Sequence, residues 1–142
     1  METKKCLFLI LFLFSVNTLF AQKSSQEKKY DFPRRNSVYF QNFIFIPSLN
    51  YDRVIPISDH FGLIPKVGFG YYDNIVPIIE TSFFIGGNKH FGEIGGGYWD
   101  FEGAVININY RYMGGKGLLM KAGFSYIPGE EGFPVLSLGY SF

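Results

Sequence analysis

The sequence predicts an all-β protein, a closed, antiparallel, eight-stranded up-and-down transmembrane β-barrel. Three observations carry that reading. Eight β-rich runs follow one another from residue 38 to residue 142, separated by turn residues. Within them, large apolar residues alternate with small or polar ones at a period of two. The composition also fits: 20% aromatic residues and 17 glycines accompany only 18% charged residues, fewer than the roughly 25% of ordinary soluble domains.

The eight expected strands are Val38–Phe43, Ser48–Ile55, Gly62–Tyr71, Val76–Ile85, Phe91–Trp99, Ala104–Tyr112, Leu118–Ile127 and Val135–Phe142. Most are long enough for a tilted strand to cross a bilayer, which takes about 9–11 residues. Gly86-Gly87-Asn88 and Gly114-Gly115 supply residues that tolerate the positive φ of tight hairpins, and Ile57-Ser58-Asp59 makes a third short turn. These turns share one end of the barrel with both termini. The loops at the other end hold Asp73-Asn74, Asp100-Phe101-Glu102 and Gly129-Glu130-Glu131-Gly132. Pro65 breaks the pattern, because proline donates no ladder hydrogen bond. Its presence predicts either a bulge or a later start for the third strand.

Alternation assigns the faces. In the sixth run Ala104, Ile106, Ile108, Tyr110 and Tyr112 oppose Val105, Asn107, Asn109 and Arg111. In the last, Leu136, Leu138, Tyr140 and Phe142 oppose Val135, Ser137, Gly139 and Ser141. The glycine-rich, polar faces fit a narrow lumen and the large apolar faces fit lipid. The opposite assignment, apolar inside, describes a soluble barrel, and periodicity alone does not separate the two. Aromatic residues gather near the strand ends as two girdles. Tyr71, Tyr72, Tyr98, Trp99 and Tyr126 lie towards one end, and Phe83, Tyr110, Tyr112, Tyr140 and Phe142 towards the other.

The same parity turns six charges inward: Asp52, Glu80 and Glu93 with Lys66, Arg111 and Lys121. Eight strands leave an interior that side chains can fill, and buried charges are tolerable only when paired. A salt-bridge network plugging the lumen is therefore expected. The functional alternative is a proton or ion path.

Before the barrel, Lys4 and Lys5 precede the apolar run Cys6–Phe14 and small Ala21 precedes Gln22, the pattern of a cleaved secretory signal over residues 1–22. A retained anchor is the alternative, but a spanning helix needs about 20 apolar residues. Residues 23–36 read as a flexible polar segment and residues 37–142 as the barrel. Removing Lys4, Lys5 and Glu2 from 13 basic and 12 acidic residues leaves 11 of each, so no basic stripe marks a nucleic-acid binder. Cys6 is the only cysteine. It lies within the signal, which leaves the barrel without a disulfide or thiolate ligand.

No cofactor or metal site is expected. The loop carboxylates Asp73, Asp100, Glu102, Glu130 and Glu131 could attract a divalent cation, or simply form a solvated rim. His60 and His90 sit at turns, outside any two-histidine motif. Acyl-transfer chemistry on envelope lipid needs a Ser, a His and an orienting acid, and no His shares a strand face with a Ser near the outer rim.

The ending Leu136-Ser137-Leu138-Gly139-Tyr140-Ser141-Phe142 resembles the C-terminal β-signal of outer-membrane proteins, with Leu138, Tyr140 and Phe142 at the signal positions. Together with the eight runs, residues 38–142 look like the small OmpA-type outer membrane protein β-barrel domain family. The resemblance implies a Gram-negative outer-membrane location, outer-membrane lipid around the barrel, and recognition by the barrel assembly machinery during biogenesis. It carries no functional motif. The expected role is non-enzymatic, structural or surface-interacting. The alternatives are a lipid-modifying barrel enzyme and a soluble periplasmic barrel that binds an apolar ligand.

Overall fold

In a computed structural model, residues 34–43, 47–99 and 103–142 are described. The expected signal, and the polar segment as far as residue 33, lie outside them. Nine β segments follow one another: β1 (Asn36–Phe43), β2 (Pro47–Arg53), β3 (Ile55–Ser58), β4 (Phe61–Tyr72), β5 (Asn74–Gly87), β6 (His90–Trp99), β7 (Gly103–Met113), β8 (Leu118–Tyr126) and β9 (Phe133–Ser141). Segments β2 and β3 both pair with β4 in one register, Asp52 opposite Lys66 and Ile55 opposite Leu63. They are therefore two halves of a single barrel strand, and the strand count is eight.

Every pairing is antiparallel, and each strand lies beside its neighbours in sequence. The first strand pairs with the last: Val38 lies opposite Tyr140 and Phe43 opposite Val135. That pairing closes the sheet, so no edge is left with free N–H and C=O groups. Asn36 and Phe142 complete the closure, each N–H donating to the other's carbonyl at 3.0 and 2.8 Å.

The observed strands extend the sequence reading mostly by one to two residues. Pro65 produces neither expected effect. β4 starts earlier, at Phe61, and runs through Pro65 in unbroken register with β5, Ile64 opposite Ser82 and Lys66 opposite Glu80. Proline's fixed φ is compatible with an extended strand, and its cost is one missing donor. The irregularities fall instead on the strand across from it. Val54 separates β2 from β3 and donates its N–H to Arg35 O at 2.7 Å. The register slips between Pro56 and Ser58, leaving Ile57 as an extra residue.

Turn chemistry follows the sequence in one hairpin and departs from it in others. Gly86 and Asn88 take positive φ as expected. In the β7–β8 hairpin the left-handed residue is Gly117 rather than Gly114 or Gly115, and at the other end Asp73 takes φ 54°. The first turn sits at Asp59-His60, because β3 continues to Ser58.

Inward glycines have a packing reason. Gly97 lies opposite Glu80, Gly68 opposite Asn50, Gly123 opposite Asn109 and Gly139 opposite Tyr39. In each pair the larger residue leans over the glycine, so a Cβ there would meet its atoms. Pairing a bare position with a bulky one across the ladder is how eight strands hold this many large side chains in a narrow interior. Gly97→Val should therefore destabilise the barrel by about 1–3 kcal/mol or more. Gly115→Ala, which meets nothing within 4 Å, should shift the urea midpoint of the detergent-folded protein very little. Equal effects of the two would refute this packing account.

Candidate functional site

The barrel's interior is layered. At the end of the short turns, Tyr39, Val54, Ile64, Phe84, Phe91, Met113 and Leu119 form one apolar cluster. Towards the long loops, Ile78, Trp99, Val105, Ile127 and Val135 form a second, with Phe133 packed against it. The expected polar lumen is thus polar mainly in its middle and carries an apolar plug at each end. The apolar layers keep water from the ionic layer between them, where the exchange of water for protein partners must balance.

That middle layer contains all six sequence-predicted charges, and the strand registers explain the arrangement. Asp52, Lys66 and Glu80 are direct cross-strand neighbours on β2, β4 and β5. Arg111 and Lys121 are direct neighbours on β7 and β8. Two adjacent cations would repel each other, so Asp52 from the opposite wall and Glu93 from the adjacent strand β6 are essential. Arg111 Nη2 binds Asp52 Oδ2, and Arg111 Nε lies 2.5 Å from Glu93 Oε1. Lys121 Nζ lies 2.8 Å from Glu93 Oε2 and 3.8 Å from Asp52 Oδ2. Both Arg111 contacts join β7 to other strands through the interior, and the one to Asp52 links strands that are not neighbours in the sheet. The Glu93 contacts with Arg111 and Lys121 are ion pairs by distance, without the alignment of hydrogen bonds.

Lys66 and Glu80 form a second unit, Nζ to Oε2 at 2.5 Å. Trp99 Nε1 donates to Glu80 Oε1 at 2.9 Å and Asn107 Nδ2 to Oε2 at 2.7 Å. Ser125 Oγ in turn donates to Asn107 Oδ1. Tyr39 serves the other unit: its hydroxyl lies 3.4 Å from Lys121 Nζ, and its ring lies 4.9 Å from that cation. Arg111 and Asp52 are fully buried. Asp52 Oδ1, Arg111 Nη1, Asn50 Oδ1 and Ser137 Oγ have no hydrogen-bond partner among the described residues. Buried polar atoms of this kind commonly hold ordered water.

Trp99, Tyr39 and the Asn107–Ser125 pair are the participants that the sequence reading missed. Trp99 does not belong to a girdle. It is fully buried beside an exposed Tyr98, because Glu93 is inward and every second residue after it, Gly95, Gly97 and Trp99, must be inward too. The parity that found Glu93 would have found Trp99. Of the other girdle residues, Tyr71, Tyr98 and Tyr126 at one end and Phe83, Tyr110, Tyr140 and Phe142 at the other are exposed, while Tyr112 is half-buried.

The outer wall inverts the interior. Val38, Phe40, Leu49, Val67, Phe69, Phe83, Ile94, Ile106, Ile108, Met120, Phe124, Leu136 and Leu138 are all exposed. Leu138, Tyr140 and Phe142, the residues of the assembly-signal resemblance, stand on this wall at 54–59% exposure. Among the loop acids, Asp73, Glu130 and Glu131 are exposed, while Asp100 and Glu102 lie outside the described residues. Among the described residues no three His, Cys, Asp or Glu side chains gather to hold a metal ion. His60 and His90 are exposed, and His90 Nδ1 meets the Tyr110 hydroxyl.

No family model and no curated protein matches this chain. It is similar in fold to a solved structure described as "De novo design of transmembrane beta-barrels", at 12% identity and a TM-score of 0.49, over 76% of this chain and 95% of that one.

Arg111→Leu removes the cation shared by Asp52 and Glu93 and leaves two buried carboxylates short of a partner. It should lower the unfolding free energy by about 3–5 kcal/mol, read as a fall in the urea midpoint; an unchanged midpoint would show that the network is not structural. Trp99 is the only tryptophan, so its fluorescence reports the plug at the long-loop end. Emission should resist acrylamide until the barrel unfolds. Ready quenching in the folded protein would mean that the interior is open.

Proposed function

We infer that this chain is an integral outer-membrane protein, exported by its N-terminal segment, whose barrel spans the bilayer with a sealed, non-conducting interior. Its role is structural or surface-interacting rather than catalytic. One observation carries the reading: the large apolar side chains of the strands stand on the outside, while three acids and three bases are buried within.

In water this arrangement is unfavourable on both sides. Soluble monomers seldom expose apolar patches beyond a few hundred Å², and here exposed apolar residues occur on every strand. In hydrocarbon the same wall is solvated by like material, and a closed ladder leaves no backbone group unpaired. The soluble, apolar-ligand reading needs the reverse, a lumen lined by hydrocarbon and free to receive a guest. The ion pairs at the centre of the interior oppose that.

The apolar plugs and the crossing Arg111 contacts likewise leave little room for an ion or proton path. A lipid-modifying enzyme would need a serine activated by a histidine, and among the described residues His90 Nδ1 meets the Tyr110 hydroxyl instead. The outward Leu138, Tyr140 and Phe142 suit recognition by the barrel assembly machinery before insertion, when the last strand is still unpaired.

Site-directed nitroxides test the span. On a Cys6→Ser background, a label at Ile108→Cys should be relaxed by lipid-soluble oxygen and shielded from a water-soluble nickel chelate. A label at Glu130→Cys should show the opposite. An Ile108 label fully accessible to the chelate in vesicle-reconstituted protein would overturn the transmembrane reading.

A further inference from the structure

The charges outside the interior are sorted by end. Among the described residues, the short-turn rim holds Arg34, Arg35, Arg53, Lys89 and Lys116, with Asp59 as its one side-chain carboxylate. At the long-loop end the described residues include Asp73, Glu130 and Glu131 and no lysine or arginine. The interior is neutral, three acids against three bases. The barrel therefore presents a cationic collar at one end and an anionic one at the other.

Two of the arginines are held at the wall, Arg53 within β2 and Arg34 just before β1. Arg53 is the only Asp, Glu, Lys or Arg on the outward face of the strands among the described residues, flanked by buried Asp52 and Val54. It is half-buried and forms no ion pair among those residues. Its register sets its height. Arg53 lies opposite Asn36, which is bonded to Phe142 and accepts a hydrogen bond from the Tyr51 hydroxyl at 2.9 Å. Arg53 thus stands level with the aromatic belt. Arg34 is fixed at the same level: its guanidinium lies 5.8 Å from the centre of the Tyr140 ring, and its Nη2 donates to Gly115 O at 3.1 Å. Lys116 lies on the hairpin that Arg34 ties down.

An aromatic belt marks the depth of the headgroups in a bilayer. A guanidinium held there, with donors still free, matches a phosphate's geometry and charge. We propose that this collar, centred on Arg53 and Arg34, binds the phosphates of anionic glycerophospholipids in the leaflet around the short-turn end. The proposal rests on the transmembrane reading above. The acidic collar repels the same headgroups, so the barrel favours anionic phospholipid at one end only.

The test uses the full chain refolded into phosphatidylcholine vesicles carrying trace nitroxide-labelled phosphatidylglycerol or phosphatidylcholine. Insertion is checked first by the heat-dependent shift of the folded band on a gel. The phosphatidylglycerol label should show the larger motionally restricted fraction, and the preference should collapse in about 1 M salt, where screening acts within about 3 Å. Arg53→Gln should reduce the preference by up to about five-fold, the factor expected for one basic residue near an anionic surface, and Arg53→Gln with Arg34→Gln should reduce it further. Both residues are away from the core, and the gel shift confirms that each variant folds. Equal restriction of the two labels around an inserted barrel, or a preference that survives both substitutions, overturns the proposal alone. Failure to insert at all overturns both this proposal and the transmembrane reading.

Discussion

Arg111 is the constraint around which the interior is organised. A fully buried guanidinium beside a lysine on the neighbouring strand is untenable by itself, since each buried ion loses several kcal/mol of hydration. Asp52 and Glu93 make it tenable, and they reach it from other strands. The pairing therefore works only when the sheet is closed and the registers are those observed. A slip of one strand by one residue would turn that strand's charges outward and its apolar side chains inward. The charge network specifies register as well as filling space, a role buried ionic groups are known to play in some proteins.

The other interior features follow from fitting this network into eight strands. Glu80 needs the bare Gly97 across from it, and Trp99 and Asn107 occupy the two carboxylate oxygens that Lys66 alone could not satisfy. The apolar clusters at either end exclude water, which would weaken each ion pair by raising the local dielectric. Closure by β1 on β9 then removes the last unpaired backbone. Each device would be unfavourable alone, and the combination gives a barrel whose exterior is free to be largely apolar.

Much of this was legible in the sequence, because a strand's period of two is simple to read. The eight runs, their faces and the six inward charges all follow from parity. What parity does not give is depth. Whether an inward residue lies in the ionic layer or in a plug depends on how neighbouring strands are staggered, which is why Phe84, Phe91 and Met113 were not foreseen as a lid. Pairing across the interior is also non-local, so Arg111 with Asp52 could be expected only as members of one lumen. Trp99 was different: the information was present, but clustering with Tyr98 at a strand end outweighed counting from Glu93. Pro65 lacks a donor, yet β4 stays regular around it and the irregularity falls on β2 and β3, which residue type alone does not reveal.

The central claim is that hydrocarbon, not water, faces the outer wall. It is tested most directly at Ile94, which is 55% exposed in the middle of β6. Folding free energy in phospholipid vesicles should fall by about 2–4 kcal/mol in Ile94→Arg if that position lies near the bilayer midplane. A variant as stable as the parent, or one that gains stability and stays folded in buffer without lipid, would contradict the account.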